Sequence, residues 1–174
     1  MKMQFTYNIF FFCFMGSGKS TVADYLCEKF DMDVVEMDQV IAERERMSIS
    51  DIFEKHGELY FRDLETKLLV ELQEKTNTVV SCGGGAAMRE CNVTEMKKNG
   101  KVVLLTAKPE TILERVENNH DRPLLENNKT VAYIAELMEK RREKYEAAAD
   151  MIIETDGKSA QKICEEMIQR LGEQ

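Results

Sequence analysis

Short apolar runs alternate with longer segments of helical periodicity along the chain. Residues 7–12 (YNIFFF) and 101–106 (KVVLLT) carry few polar positions, which is typical of strands buried on both faces of a sheet. Strands are predicted at residues 7–12, 34–37, 78–82, 101–106 and 151–154. Between them, apolar residues recur at helical spacing, as Val22, Leu26 and Phe30 do, which predicts helices with one buried side.

Local signals mark several helix boundaries. Helices are predicted at residues 19–30, 39–46, 51–56, 58–74, 109–118, 131–148 and 159–171, with a shorter one ending at 99–100. Residues 48–51 (SISD) resemble a capping box, Gly57 is a candidate C-cap, and Pro109 suits the first position of a helix. Strands separated by helices favour a parallel sheet covered on both faces. The predicted fold class is α/β, in a single domain at residues 1–174.

One long polar segment interrupts this pattern. Residues 117–130 (ENNHDRPLLENNKT) carry few apolar side chains and are punctuated by Pro123. A connection of this length without an element of its own is usually functional. We expect a mobile loop there.

Composition and charge narrow the class of protein. The longest apolar run, residues 9–15, has seven residues, far below the roughly 20 needed to cross a bilayer, and it lacks the flanks of a signal peptide. The five cysteines show no CxxC spacing, which favours reduced thiols and a cytoplasmic location. A net charge of −8 argues against a nucleic-acid partner. We expect a monomer without membrane association.

A glycine-rich segment joins the first predicted strand to the first predicted helix. Residues 13–21 read CFMGSGKST, in which Cys13 replaces the first glycine of the GxxxxGK[ST] pattern. Such a segment forms a nest of backbone N–H groups around phosphates, with Lys19 on the β- and γ-phosphates and Ser20 on Mg²⁺. The alternative is a turn that only joins strand to helix, but this context favours phosphate binding. The predicted ATP-binding residues here are Gly16, Ser17, Gly18, Lys19, Ser20 and Thr21.

Acidic side chains close the second predicted strand. Glu36 and Asp38 lie at the carboxyl end, where open α/β sheets bind ligands. Asp38 is a candidate to hydrogen-bond a substrate hydroxyl and accept its proton. The alternative role is an N-cap for a helix that runs from Gln39 onward, and both roles could hold.

Arginines and glycines further along the chain suggest an anionic substrate. Arg62 could pair with a carboxylate, although a lone arginine is more often a surface residue. Arg122, in the polar loop, resembles a lid residue that closes on the transferring phosphoryl group, whereas Arg141 has a solvated helix face as its default. Gly83, Gly84 and Gly85 follow a buried strand and would let a ligand approach bare backbone, unless they form only a loose turn.

Together these motifs resemble the shikimate kinase family, nearly from end to end. The family's pattern has an FMGSGKS-type loop, a DxD, an IFxxxGExxFRxxE segment, a GGG loop, an RPLL lid and an RxxxY helix. The matching segments lie at residues 14–20, 36–38, 52–65, 83–85, 122–125 and 141–145. Glu36 replaces the first Asp of DxD, and Glu143 stands where the RxPxY helix motif commonly has proline.

The resemblance implies a fold and a set of roles. The fold would be that of P-loop kinases, with three α/β/α layers and a five-stranded parallel sheet. A substrate-binding segment would span about 38–65 and a lid about 117–130. Asp38, Arg62, Gly84 and Arg141 would hold shikimate, with Arg62 and Arg141 on its carboxylate. Lys19 and Arg122 would stabilise the phosphoryl group in flight, Arg115 would stack on adenine, and Ser20 and Glu36, the latter through water, would hold Mg²⁺.

The implied reaction is ATP-dependent phosphorylation of the shikimate 3-hydroxyl, a step of aromatic amino-acid biosynthesis. Two other functions stay open from the sequence. A gluconate-type small-metabolite kinase would share the phosphate loop but has no need for the downstream motifs. A catalytically inactive nucleotide-binding regulatory protein is suggested by Cys13 and Glu36, which stand at nucleotide and metal positions.

Overall fold

Five parallel strands form one sheet in a computed structural model that describes residues 5–13, 19–116 and 131–172. The strands are β1 (Asn8–Cys13), β2 (Asp33–Glu36), β3 (Thr78–Ser81), β4 (Gly100–Thr106) and β5 (Met151–Glu154). Their order across the sheet is β2-β3-β1-β4-β5, and every pairing is parallel. All five predicted strands are present, with ends shifted by one residue at most.

Helices cover both faces of this sheet. They are α1 (Lys19–Phe30), α2 (Met37–Glu45), α3 (Ile49–His56), α4 (Glu58–Glu71), α5 (Glu90–Lys98), α6 (Pro109–Val116), α7 (Val131–Ala148) and α8 (Ala160–Gly172). Short 3₁₀ turns follow at Leu72–Glu74 and Ala86–Met88. The three-layer α/β/α prediction is confirmed. None of the described helices is long and apolar enough to span a membrane.

The central strand β1 divides the core into two halves because its side chains alternate between faces. Phe10 and Phe12 pack with α2, α3, α4, α5 and α7, whereas Ile9 and Phe11 pack with α1 and α8. All four side chains are completely buried. A third, smaller cluster joins α6 to α7 through Ile112 and Ile134.

Two predicted boundary signals position the helices nearest the site. The Ser48 hydroxyl accepts a 3.1 Å hydrogen bond from the Asp51 backbone N–H, which caps α3. Gly57 ends α3 with a φ of 88°, a conformation that glycine adopts without steric cost, and α4 begins at the next residue. The chain therefore turns sharply between α3 and α4, and α4 returns toward the sheet.

Candidate active site

Strand β2 passes directly into helix α2. The helix begins at Met37 with Glu36 as its N-cap residue, so Asp38 lies in the first helical turn. The alternative in which Asp38 caps a helix from Gln39 onward is therefore wrong. From the sequence, the apolar Met37 is predicted to be the last residue of the second strand. In the structure it is the first residue of α2, and its side chain is fully buried.

The Asp38 carboxylate points into the protein near the triple glycine. A Cβ atom built on Gly83 would lie 3.2 Å from Asp38 Oδ1 and 3.4 Å from Glu65 Oε2. Both oxygens are buried, and neither has a hydrogen-bond partner among the residues that the structure describes. Burying unpaired carboxylate oxygens is costly, so this arrangement is typical of a site that a ligand completes.

Arg62, on α4, is held in place on three sides. Its Nη1 donates a 2.8 Å hydrogen bond to Glu65 Oε1, and its Nη2 donates a 3.2 Å bond to Glu58 Oε1. The guanidinium carbon also lies 5.8 Å from the ring centroid of Phe53 and 5.3 Å from that of Phe61. Only 19% of the side chain is exposed, which excludes the surface-arginine alternative.

The triple glycine lies directly against this guanidinium. A Cβ atom at Gly85 would stand 2.3 Å from Arg62 Cζ and Nη1, closer than real Cβ atoms approach other groups. Glycine at this position is therefore required by the close approach of Arg62 to the backbone. The loop brings α2, α4 and the end of β3 together at the carboxyl edge of the sheet.

Glu65 lies in the same cluster, and the sequence assigns it no role of its own. It is 0% exposed and lies between Arg62 and the carboxylate of Asp38. Burial raises the pKa of the Glu65 carboxyl to about 7; the Arg62 ion pair opposes this shift, and the charge on Asp38 adds to it. The available signal was the i,i+3 spacing of Arg62 and Glu65 on one helix.

A hydrogen-bonded chain connects α7 to the same loop. Arg141 Nη1 donates a 3.1 Å hydrogen bond to the Tyr145 hydroxyl, which in turn donates a 2.7 Å bond to the Gly84 carbonyl. The Tyr145 ring is buried, with its centroid 5.2 Å from that of Phe12. Arg141 thus belongs to the site's surroundings, and Tyr145 is a second residue whose contribution the sequence left unassigned.

On the nucleotide side the structure describes less. Gly16, Ser17, Gly18, Arg122 and the predicted lid at 117–130 lie outside the described residues, as do the side chains of Lys19, Ser20 and Arg115. Lys19 and Ser20 begin α1, and Thr21 follows as an exposed residue.

The loop after β5 is joined to helix α6. Asp156 accepts a 2.6 Å hydrogen bond from the Thr111 hydroxyl and 3.2 Å bonds from the Lys108 backbone N–H. These contacts fix the start of the helix that carries Arg115.

The charged side chains gather at the carboxyl edge of a parallel sheet, where open α/β folds bind ligands. The relatives reported next have the P-loop kinase fold and identify the protein as an ATP-dependent transferase. The family model "Shikimate kinase" matches residues 15–172. The chain belongs to the shikimate kinase family.

Individual relatives agree with this assignment. The chain is 44% identical to a shikimate kinase of Persephonella marina, over 94% of this chain and 98% of that relative. It superimposes with a TM-score of 0.89 on a shikimate kinase from Acinetobacter baumannii in complex with shikimate, at 32% identity over 96% of this chain and 93% of the other. The shikimate kinase of Aquifex aeolicus gives a TM-score of 0.81 at 35% identity, over 95% and 96% of the two chains.

Proposed function

We propose that this protein transfers the γ-phosphate of ATP to the 3-hydroxyl of shikimate, a step in aromatic amino-acid biosynthesis. The observation that carries the proposal is the convergence of Arg62 and Asp38 on the triple-glycine loop, where the buried Oδ1 of Asp38 has no hydrogen-bond partner among the described residues. One cation and one hydrogen-bond acceptor beside the same loop complement a small molecule with a carboxylate and several hydroxyls. Family membership favours this acceptor over gluconate.

The acceptor is proposed to bind between α2, α4, α7 and the glycine loop. Arg62 and Arg141 pair with its carboxylate, and Asp38 accepts hydrogen bonds from its hydroxyls. Glu65 and the rings of Phe53 and Phe61 hold Arg62 in a single orientation, so little side-chain entropy is lost on binding. Gly83, Gly84 and Gly85 are proposed to face the substrate through their backbone, and the space beside Gly85 is taken by the Arg62 guanidinium.

The nucleotide is proposed to bind at the loop before α1. Gly16, Ser17, Gly18, Ser20 and Thr21 supply backbone N–H groups to the phosphates, and Arg115 stacks on adenine, as the family resemblance implies. Lys19 and Arg122 offset the negative charge that develops on the transferring group.

Mg²⁺ is part of the proposal, held by the Ser20 hydroxyl and, through water, by Glu36. Glu36 fits this role because it is half-buried at the end of β2 and its side chain makes no capping bond to α2. Its register neighbour on β3, Ser81, has a buried hydroxyl with no partner in the described part of the chain. Carboxylate and hydroxyl oxygens are the ligands that Mg²⁺ prefers. When bound, the ion neutralises charge on the phosphate oxygens.

The proposed reaction is a direct in-line transfer without a phosphoenzyme. Asp38 hydrogen-bonds the reacting hydroxyl and accepts its proton as the new P–O bond forms and ADP leaves. Positioning and electrostatic stabilisation supply most of the rate, because phosphoryl transfer requires little covalent work from the protein.

The protein is also proposed to be a monomer located in the cytoplasm. Within the described ranges Cys27, Cys91 and Cys164 are free thiols, which agrees with a reducing compartment.

A coupled ADP-release assay tests the function. With ATP and Mg²⁺ present, we expect ADP release that depends on shikimate and is not supported by gluconate. Release without any acceptor, release with gluconate alone, or no release at all would each contradict the proposal. The last outcome would favour the inactive regulatory protein.

A further inference from the structure

The buried amide of Asn92 connects the two segments that form the acceptor side of the site. Asn92 lies on α5 and is 0% exposed. Its Nδ2 donates a 2.9 Å hydrogen bond to the carbonyl of Ala86, the residue that follows the triple glycine. Its Oδ1 accepts a 2.6 Å bond from the hydroxyl of Thr66, the residue that follows Glu65.

Hydrogen-bond donor and acceptor types fix the orientation of the Asn92 amide. The contact with a carbonyl requires an N–H donor, which fixes the orientation of the amide and leaves Oδ1 toward Thr66. The Thr66 hydroxyl also accepts a 3.2 Å bond from Arg89 Nη1, and that arginine pairs with Asp63 at 3.0 Å. The buried amide and the more exposed ion pair therefore join the same two segments.

The distance between α4 and the glycine loop matters because the side chains between them are in close contact. Arg62 already fills the space that a Cβ at Gly85 would need, and the Asp38 and Glu65 oxygens lie within 3.4 Å of one point beside Gly83. A shift of a few tenths of an ångström between α4 and the glycine loop would change all of these contacts together. A displacement of about 1 Å in a substrate-positioning group can cost an enzyme about a hundredfold in rate, and the groups of a functional site have to be held within about 0.5 Å of their productive geometry.

We infer that Asn92 and Thr66 are positioning residues for the acceptor: their hydrogen bond sets the distance between the Arg62–Glu65 pair and the triple-glycine loop. Among the described residues, the hydrogen bonds of these two side chains lie within α4, the segment after the glycine loop and α5, including a 3.1 Å contact of the Thr66 hydroxyl with the Arg62 carbonyl. The inference rests on the proposed function, since it concerns the binding of shikimate at that site.

The test compares Asn92→Asp and Thr66→Val with Thr66→Ser in steady-state kinetics with both substrates varied. Asn92→Asp keeps the acceptor for the Thr66 hydroxyl but places a carboxylate oxygen against the Ala86 carbonyl. Thr66→Val keeps the side-chain volume and removes the hydroxyl. We expect KM for shikimate to rise about tenfold in both, with kcat and KM for ATP within about twofold of wild type. Thr66→Ser, which keeps the hydroxyl, should remain close to wild type.

Thr94→Val is the matched control, because among the described residues the exposed Thr94 hydroxyl bonds the Glu90 carbonyl of its own helix, α5. Thermal melting identifies variants that do not fold; if Asn92→Asp is one of them, the contrast of Val with Ser at position 66 decides. An unchanged KM for shikimate, or equal rises in KM for both substrates, would overturn the inference. A wild-type enzyme without shikimate-dependent ADP release would instead contradict the proposed function.

Discussion

The hydroxyl of Tyr145 lies between Arg141 and the carbonyl of Gly84, accepting a hydrogen bond from the first at 3.1 Å and donating one to the second at 2.7 Å. Helix α7 therefore contributes to the glycine loop as well as to the proposed carboxylate site. A phenol suits this position because it can donate and accept at once.

Replacing Tyr145 with Phe removes both hydrogen bonds and keeps the ring against Phe12. We expect KM for shikimate to rise about five- to tenfold, with little change in KM for ATP, because Arg141 loses its orienting partner. Steady-state kinetics measures this, with Tyr7→Phe before β1 as the matched control. An equal effect of the two variants on KM would rule out the orienting role.

Gly85→Ala introduces a methyl group into the space occupied by the Arg62 guanidinium. Arg62 must then leave its position, and we expect KM for shikimate to rise more than about tenfold. Gly172→Ala at the end of α8 serves as the control, since a Cβ there has no described atom within 4 Å. Wild-type kinetics for Gly85→Ala would show that the position of Arg62 does not matter for catalysis.

The buried Glu65 carboxyl predicts a pH-dependent stability. Its pKa is about 7 in the folded protein and 4.5 as the ordinary value, so the folded state binds the proton more tightly than the unfolded state. The free energy of unfolding from this group is therefore fully present below pH 4.5 and decreases as the pH rises through 7. The loss amounts to at most about 3 kcal/mol.

Urea denaturation from pH 5 to pH 8 measures this effect. Glu65→Gln cannot titrate at this position, so its stability should fall less over the range than that of the wild type. Glu58→Gln, which alters the exposed partner of the same arginine, provides the comparison. Parallel curves for wild type and Glu65→Gln would contradict the prediction.

Removal of Lys19 and removal of Arg62 should affect different kinetic parameters. Lys19→Met is expected to abolish turnover, because Lys19 acts on the transferring phosphate. Arg62→Ala is expected to raise KM for shikimate strongly, because Arg62 binds the acceptor. Arg44→Ala, which removes a surface arginine paired with Glu71, is the control for the loss of one positive charge. An unchanged KM in Arg62→Ala would remove Arg62 from the acceptor site.

Strands and helices could be predicted from the sequence because apolar runs such as residues 9–12 mark buried strands directly. The strand order could not be predicted in this way, since pairing depends on contacts between distant segments. The start of α2 was placed two residues late, because a buried Met37 looks the same at the end of a strand and at the start of a helix. Only tertiary context separates the two.

The residues of the candidate site likewise include some that the sequence indicates and some that it does not. Asp38 and the triple glycine are indicated by the sequence because they follow predicted strands, and Arg62 because it belongs to the FR motif that resembles the family's pattern. Glu65 and Asn92 are assigned no role, because a polar residue on a helix is ordinarily exposed and nothing local indicates that it is buried. Their environment arises only when α4, α5 and the glycine loop pack together.

The division of the core by β1 has a consequence for how such proteins diversify. Asp38, Arg62, Glu65, Asn92 and Tyr145 all lie on helices that pack on the Phe10–Phe12 side, whereas α1 and α8 occupy the other side. The residues proposed to bind and orient the acceptor thus all lie in one layer of the molecule. Substitutions in that layer are expected to change the acceptor specificity without altering the layer formed by α1 and α8.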